Sequence, residues 1–219
     1  MKFVSAIFSV VALLVGNQLG FAQGFVNLDF ESANISGNVT GNEITAANAF
    51  PGWTVTADFI YYDDFSLSGG SISVFDSNPP FSFPPIQGTY FAYLVGPGAA
   101  PYTVSIGQTG QIPDSAQSIT FWGTDPGLEA TFNGQPLNFQ VIGSTANYNI
   151  YSADISSFAG QTGPLLFTQT LYGNSKLDNI QFSSSSVPEP SELALTALGA
   201  LLLGLSRLKE FLQFTRLKK

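Results

Sequence analysis

Apolar and polar residues alternate with a period of two in short runs through the middle of this 219-residue chain. A period of two points successive side chains to opposite faces of a strand, so each run predicts a β-strand with one buried face. Gly and Pro separate the runs, as expected of turns between strands. The clearest runs are 71–75, 102–106 and 118–121, and further strand candidates are 53–62, 89–95, 137–142 and 165–170.

Two local signals refine this pattern. Asn133-Gly134, placed between two apolar runs, predicts a type I′ hairpin turn, because both of its central positions need positive φ. Segment 154–160 predicts one helical turn, which Asp154 would cap at its start and Gly160 would end. The spacing of strands and turns predicts an all-β fold for residues 23–182: an antiparallel β-sandwich of the jelly-roll type, flanked by an N-terminal signal helix and a C-terminal membrane helix.

The first 22 residues predict a secretory signal peptide. Lys2 precedes the apolar run 3–15, and the small residues Gly20 and Ala22 suit cleavage after Ala22. The run is too short to cross a bilayer, which favours removal by signal peptidase over a permanent anchor. The mature chain would begin at Gln23, and the alternative is a buried N-terminal helix.

The C-terminal region predicts a linker followed by a sorting signal. Ser-rich residues 183–186 lead into Val187-Pro188-Glu189-Pro190, whose two prolines keep the chain extended and accessible. The apolar helix predicted over 193–205 is about 20 Å long, against a hydrocarbon core of about 30 Å. The helix therefore either spans the membrane with help from flanking residues or lies in the interface. The basic tail 207–219 would stay on the cytoplasmic side.

The motif, the apolar helix and the basic tail, in that order, resemble the PEP-CTERM sorting domain of exported bacterial proteins over about residues 186–219. The resemblance implies an exosortase-like membrane transpeptidase as partner and a Gram-negative host. It also implies a precursor anchored in the inner membrane and a final location at the cell surface or in the extracellular polysaccharide matrix. The tail departs from the pattern through Glu210, Phe211, Leu212 and Phe214, which leaves its boundary open. The alternative is an ordinary membrane anchor.

Charge is segregated along the chain. Residues 24–186 hold twelve carboxylates and one basic residue, Lys176, for a net charge of −11, whereas the tail from Arg207 carries +4. So acidic a domain is not expected to bind nucleic acid. The chain has no His and no Cys, which excludes triads, thiolate nucleophiles, disulfides and zinc sites built on those residues. A carboxylate-only glycosidase is the one enzyme left, and we expect no catalysis.

Several patches of the middle region resemble the galactose-binding-like jelly rolls, to which many carbohydrate-binding modules belong. They lie at 26–31, 51–53, 88–94, 106–109 and 176–182. The resemblance implies a structural calcium that ties the first strand to the last, with Asp29 or Glu31 and Asp178 as ligands. Calcium takes six to eight hard oxygens and needs neither His nor Cys. The alternative is that these carboxylates face solvent or cap turns.

Aromatic side chains that could stack on sugar rings are the remaining candidates for a site. Trp53, Tyr61 and Tyr62 are the residues we select, although Trp53 would also suit the core. Tyr61 and Tyr62 point to opposite faces of a strand, so one of them should be exposed. The sequence therefore predicts an exported, non-catalytic surface or matrix protein, with a glycan-binding module of the exopolysaccharide matrix as the alternative.

Overall fold

The computed structural model describes residues 24–66, 70–76, 86–98, 103–124, 127–170 and 173–187. Within these ranges the chain forms two β-sheets, one of nine strands and one of five, with little helix. The predicted signal helix, the predicted membrane helix and Pro188-Glu189-Pro190 lie outside them. Within the same ranges we find no helix long and apolar enough to cross a membrane.

The strands and helical segments follow one another along the chain. In chain order the strands are β1 (Val39–Thr40), β2 (Glu43–Ile44), β3 (Thr54–Thr56), β4 (Phe59–Tyr62), β5 (Ser71–Phe75), β6 (Phe91–Val95), β7 (Val104–Gln111), β8 (Ser118–Gly123), β9 (Leu128–Phe132), β10 (Gln135–Pro136), β11 (Gln140–Ser144), β12 (Asn149–Asp154), β13 (Thr162–Gln169) and β14 (Asn174–Ser183). A short helix α1 (Ala46–Ala49) precedes β3, and a 3-10 turn (Ser156–Phe158) follows β12.

The two sheets have different strand orders. The nine-stranded sheet runs β1-β2-β4-β5-β6-β14-β8-β12-β11, and the five-stranded sheet runs β10-β9-β13-β7-β3. Every pair is antiparallel except β4 and β5, which are parallel. The predicted β-sandwich is therefore confirmed, with this one parallel pair added.

The main core lies between the sheets and is built from the inward-pointing residues of alternating strands. Ile72 and Val74 of β5 alternate with serines that point to the other face, as the period of two requires. Phe121 of β8 meets Phe167 of β13 edge-on, with ring centroids 5.5 Å apart, and so joins the two sheets.

A second, smaller apolar cluster lies on the outer face of the nine-stranded sheet. It contains Phe75, Phe91, Tyr93 and Val95, all buried, with Phe65 packed against them. Lys176, the domain's one basic residue, is also buried here, with its ammonium 4.8 Å from the Phe91 ring. Burial lowers the pKa of this lysine.

Both local turn predictions are confirmed. Asn133 and Gly134 have φ of 51° and 73° and join β9 to β10 in a hairpin. At the helical turn the N–H of Ser156 donates to Asp154 Oδ1 at 2.8 Å, and Gly160 ends the turn with φ of 74°.

Two expectations about strands are wrong. Residues 53–62 form β3 and β4, which lie in different sheets, so the chain crosses the sandwich at 57–58. Residues 26–31, which we took for the first strand, form turns in which Asn27 and Phe30 have φ of 50° and 58°. Alternation shows which residues are extended, but it does not show which sheet they join or where φ turns positive.

Candidate functional site

Asp178 lies in the middle of the nine-stranded sheet and is completely buried. Its Oδ2 accepts a 2.9 Å hydrogen bond from the N–H of Gln87, and its Oδ1 accepts one of 2.7 Å from the N–H of Asn179. Burial raises the pKa of Asp178 to about 8, and the charges of Glu31 and Asp29 add to the rise. The structure thus brings the three predicted calcium ligands into one region.

Glu31 binds the same loop as Asp178. Its Oε1 accepts hydrogen bonds from the N–H groups of Thr89 and Tyr90 at 2.7 and 3.0 Å. Its carboxylate lies against Gly88, which has φ of 61° and no room for a Cβ. Residues 86–90 are therefore fastened at one end to Asp178 and at the other to Glu31.

The suitability of this region for a metal depends on its oxygens. Across the described ranges, no three acidic side chains are close enough to hold a metal ion between them. Gln87, however, has a buried Oε1 without a hydrogen-bond partner, and its backbone already contacts Asp178. Carboxylate and amide oxygens are the ligands calcium prefers. The donor chemistry fits calcium, and calcium binding by Asp29, Glu31 and Asp178 stays a prediction.

Trp53 is not at the surface, which corrects its selection as a glycan contact. Its side chain is 6% exposed, and its ring centroid is 5.4 Å from that of Phe30 in the core. Its Nε1–H donates a 2.9 Å hydrogen bond to the carbonyl oxygen of Asn27. The indole therefore holds the N-terminal turns in place and presents no face to a sugar.

Tyr62 also turns inward. Its ring packs against the main core, and its hydroxyl donates a 2.9 Å hydrogen bond to Asp76 Oδ2. Burial and this hydrogen bond raise the pKa of Tyr62. Its hydroxyl is engaged inside the protein, so Tyr62 is a poor sugar platform.

Tyr61 points to the outer face of the nine-stranded sheet, as does Phe59 two residues earlier. Their rings are parallel to within 9°, with centroids 5.7 Å apart, and Phe59 is 38% exposed. We call these two rings the aromatic strip. Sequence reasoning missed Phe59, although its spacing of two from Tyr61 placed both rings on one face.

Carboxylates border the aromatic strip. Glu43 of β2 lies opposite Tyr61 in the register, and Asn42 Nδ2 donates a 2.7 Å hydrogen bond to Asp64 Oδ2. Partial burial raises the pKa of Tyr61, and the charges of Glu43 and Asp64 raise it further. A groove of about 360 Å³ next to the strip is lined by Glu43, Ile44, Ala57, Asp58, Phe59 and Ile60.

A buried carboxyl pair lies at the end of the same strand. Asp63 Oδ1 accepts a 3.2 Å hydrogen bond from the N–H of Asp76, and both residues are buried. Burial raises the pKa of Asp63 to about 6, and the nearby charge of Asp76 adds to the rise. Protonation of Asp63 removes the repulsion between its charge and that of Asp76.

The outer face of the five-stranded sheet carries a second groove, of about 370 Å³. Its floor includes Gly107 and Leu166, the latter 38% exposed, and hydroxyl-bearing residues surround them. These are Thr54, Thr56, Ser105, Thr109 and Thr131. Among the described residues that line this groove there is neither an aromatic ring nor a charge, which distinguishes it from the aromatic strip.

Similarity to known proteins is found in solved structures and not in sequence families. No protein-family model matches this chain. No curated protein matches it either. Among solved structures, TmCBM61 in complex with β-1,4-galactotriose superposes with a TM-score of 0.43 and 15% identity, over 74% of this chain and 99% of that one.

Two further solved structures are similar at a lower level. The family 11 carbohydrate-binding module of Clostridium thermocellum, in complex with a β-1,3-1,4-mixed-linked tetrasaccharide, has a TM-score of 0.36 and 11% identity, over 67% of this chain and 97% of that one. The enzymatically active domain of tailspike protein 4 from bacteriophage CBA120 has the same score and identity, over 65% and 21%. These similarities are distant, and the function proposed below rests on this chain's own residues.

The chain is held to the sheet beyond the last strand. The N–H of Gln117 donates a 2.7 Å hydrogen bond to the carbonyl of Ser183, and Ser118 Oγ donates one of 2.8 Å to that of Ser185. Val187 is the one described residue of the predicted sorting motif. The motif thus begins two residues after the last of these hydrogen bonds.

Proposed function

We propose that residues 23–187 form an exported glycan-binding domain that contacts sugar through the aromatic strip. The observation that carries this proposal is the pair of parallel rings, Phe59 and Tyr61, on an outer sheet face next to Glu43 and Asp64. The C–H face of a pyranose packs against an aromatic ring, and carboxylates accept hydrogen bonds from sugar hydroxyls. Apolar surface with a few well-placed polar groups is the usual composition of a ligand site.

The negative charge around the aromatic strip limits the class of glycan that could bind there. Glu43, Asp58 and Asp64 lie around the strip, and the domain as a whole carries −11. A polysaccharide with uronic acid or sulfate groups would be repelled at the aromatic strip. We therefore propose neutral hexose polymers as the ligands.

Loss of one ring tests the proposal. Both sheets and the core lie within 24–187, so a chain of residues 23–187 keeps every described contact. We expect this chain to be retarded in gels containing a neutral polysaccharide and Tyr61→Ala to weaken the affinity about tenfold, since a buried ring contributes on the order of 1.5 kcal/mol. Leu166→Ala is the control, because Leu166 is an apolar side chain as exposed as the other ring of the strip, Phe59, but it lies on the other sheet.

Two outcomes would overturn the aromatic strip as the site. The first is that Tyr61→Ala binds as well as the unmodified chain. The second is that Leu166→Ala is the variant that loses affinity, which would move the site to the groove of the five-stranded sheet. Absence of binding to every neutral and acidic glycan tested would overturn glycan binding itself.

A structural calcium is part of the proposal. Asp178 and either Glu31 or Asp29 would hold it, together with the amide oxygen of Gln87. Bound there, calcium would supply positive charge to a completely buried carboxylate and join the N-terminal turns to β14. The unpartnered Gln87 oxygen supports this proposal.

We propose no catalysis for this domain. Asp63 and Asp76 come closest to the paired carboxyls that glycoside hydrolysis requires, but both are buried. A general acid must reach the bond that it protonates.

We also propose that the two sheets have the jelly-roll topology. The support for it is that successive strands alternate between the two sheets, namely β7, β8, β9, β12, β13 and β14.

We propose that the two ends of the chain direct export and surface sorting. Signal peptidase would act after Ala22, and an exosortase-like transpeptidase would recognise Val187-Pro188-Glu189-Pro190 in the inner membrane. The hydrogen bond that Ser185 accepts from Ser118 Oγ supports this, because the folded domain then ends two residues before Val187, where the motif would begin. Deletion of the four residues should trap the chain in the membrane fraction, whereas exchange of Ser184 and Ser186 for Gly should not. Unaltered processing of the deletion variant would refute the sorting role.

A further inference from the structure

A groove lies where the chain crosses from one sheet to the other, beyond the groove next to the aromatic strip. Residues 57–58 join β3 of the five-stranded sheet to β4 of the nine-stranded sheet. The groove has a volume of about 290 Å³, and we call it the crossover groove. Its rim includes Thr56, Asp58 and Thr103, and its floor includes Gly70, Pro97 and Val104.

The crossover groove has a buried floor and a polar rim. Gly70 and Val104 are both buried, and a Cβ added at Gly70 would meet Val104 Cγ2 at 2.8 Å. Thr56, Asp58 and Thr103 are exposed, so their two hydroxyls and one carboxylate can exchange hydrogen bonds with a ligand. Apolar surface with a few polar groups around it is the composition of a small-ligand site.

Asp58 lies at the junction of two grooves. Together with Ala57, it lines both the crossover groove and the groove next to the aromatic strip. Its N–H donates a 3.2 Å hydrogen bond to the carbonyl oxygen of Gly70, which fixes its backbone against the crossover groove. Phe59, the first ring of the strip, is the next residue along the chain. A ligand on the strip would therefore reach the crossover groove by passing Asp58.

We propose that the crossover groove is a second sugar subsite, which binds further units of the same neutral polysaccharide chain that contacts the aromatic strip. This inference rests on the proposed function, since the strip supplies the first contact. Thr56 and Thr103 would exchange hydrogen bonds with sugar hydroxyls, and Asp58 would accept them from the units on either side of it. The domain would thereby select chains over single sugars.

Two grooves in series make the affinity depend on chain length. Their volumes, about 360 and 290 Å³, are each close to the lower limit of about 300 Å³ for a small-ligand pocket, so one monosaccharide occupies only one of them. The second contact is made by a ligand that is already held, which spares most of the entropy of association. We therefore expect the affinity to rise about tenfold between a disaccharide and a chain that fills both grooves.

Isothermal titration calorimetry of residues 23–187 tests the second subsite, with neutral gluco- and galacto-oligosaccharides from the disaccharide to the hexasaccharide as probes. We expect Thr56→Val to weaken binding of the hexasaccharide about fivefold, the effect of one lost hydrogen bond, and to leave the disaccharide unchanged. Thr103→Val should act in the same way from another segment of the rim. Thr54→Val is the matched control, because Thr54 is also exposed on β3 but lies outside the crossover groove.

The outcomes separate this subsite from the proposed function. Tyr61→Ala should weaken binding at every length, because the strip holds the first sugar. If Tyr61→Ala has that effect but the disaccharide and the hexasaccharide bind equally well, the strip stands and the second subsite is overturned. A loss in Thr56→Val that is no larger than in Thr54→Val would overturn it too. Absence of binding at every length would overturn the subsite and the glycan-binding function together.

Discussion

The carboxylate of Glu31 lies directly against the Cα of Gly88, and the next two residues both donate their N–H groups to its Oε1. Gly88 has φ of 61°, which a side chain would strain in any case. Its lack of a Cβ also makes the hydrogen bonds possible, because a Cβ would occupy the position of the carboxylate.

Comparison of two glycines separates these effects. Gly41 has nearly the same φ, 63°, and a Cβ added there would meet nothing within 4 Å. We expect Gly41→Ala to lower the free energy of unfolding by about 1 kcal/mol through backbone strain alone. Gly88→Ala should lower the free energy of unfolding by about 2 kcal/mol more than Gly41→Ala does, since it displaces Glu31 from two N–H groups. Urea denaturation measures both, and equal losses would show that the Glu31 contact is not tight.

Calcium should raise the melting temperature of residues 23–187 measured after EDTA treatment. A ligand that binds only the folded state stabilises it in proportion to the logarithm of its concentration. Asp178→Asn should abolish this increase because it removes a ligand charge, whereas Glu129→Gln, an exposed carboxylate on the other sheet, should not. A melting temperature that is the same with and without calcium would contradict the metal site.

Acidic pH should stabilise the carboxyl pair. The pKa of Asp63 is about 6 in the folded chain, above the value of 3.8 for a free aspartate, so the protonated form favours folding. The stability that protonated Asp63 gives to the folded chain is complete below about pH 4 and is lost as the pH rises through about 6. Asp76, Tyr62 and Tyr90 are the titratable groups around it. The free energy of unfolding should therefore fall over this range, and less steeply in Asp63→Asn.

Asp58→Asn is the control for that measurement, since it removes one carboxylate from an exposed position nearby. If Asp58→Asn flattens the pH dependence as much as Asp63→Asn does, overall charge and not the buried pair governs it.

Replacement of Trp53 tests its assignment to the core. Trp53→Phe keeps an aromatic ring but removes the 2.9 Å hydrogen bond to the Asn27 carbonyl, which keeps only the longer bond of 3.4 Å from the N–H of Phe30, at a cost of about 1 kcal/mol. The half-buried Trp122 should tolerate the same substitution better. Glycan affinity should not change in Trp53→Phe beyond its loss of stability. A selective loss of affinity in a fully folded variant would return Trp53 to the binding surface.

Local chemistry made part of this fold predictable. The alternation in 71–75 and 118–121 gives strands because it places the apolar residues Ile72, Val74, Ile119 and Phe121 on the face that packs in the main core. The Asn133-Gly134 turn follows from the φ values that its two residues tolerate. These features depend only on neighbours in the chain.

Long-range placement was not predictable. Trp53 and Tyr61 fall in one alternating run, yet the sheet crossing at 57–58 sends one to the core and the other to an outer face. Asp63 and Asp76 pair because the parallel strands β4 and β5 end side by side, a relationship between residues thirteen apart. Only a family resemblance predicted that Asp178 and Glu31 lie close together, and nothing in the sequence indicated that the loop at 86–90 binds both of them.

β14 lies between β6 and β8, antiparallel to both, and the chain leaves it past Ser185 toward the predicted sorting motif. A domain tethered to a cell through this end and attached elsewhere to a polymer would transmit tension along β14. Hydrogen bonds between strands lie perpendicular to the strand direction, so such a pull shears many of them at once and cannot open them one by one. If the chain is tethered through this end as proposed, the position of β14 would give the domain mechanical resistance along the direction of the pull.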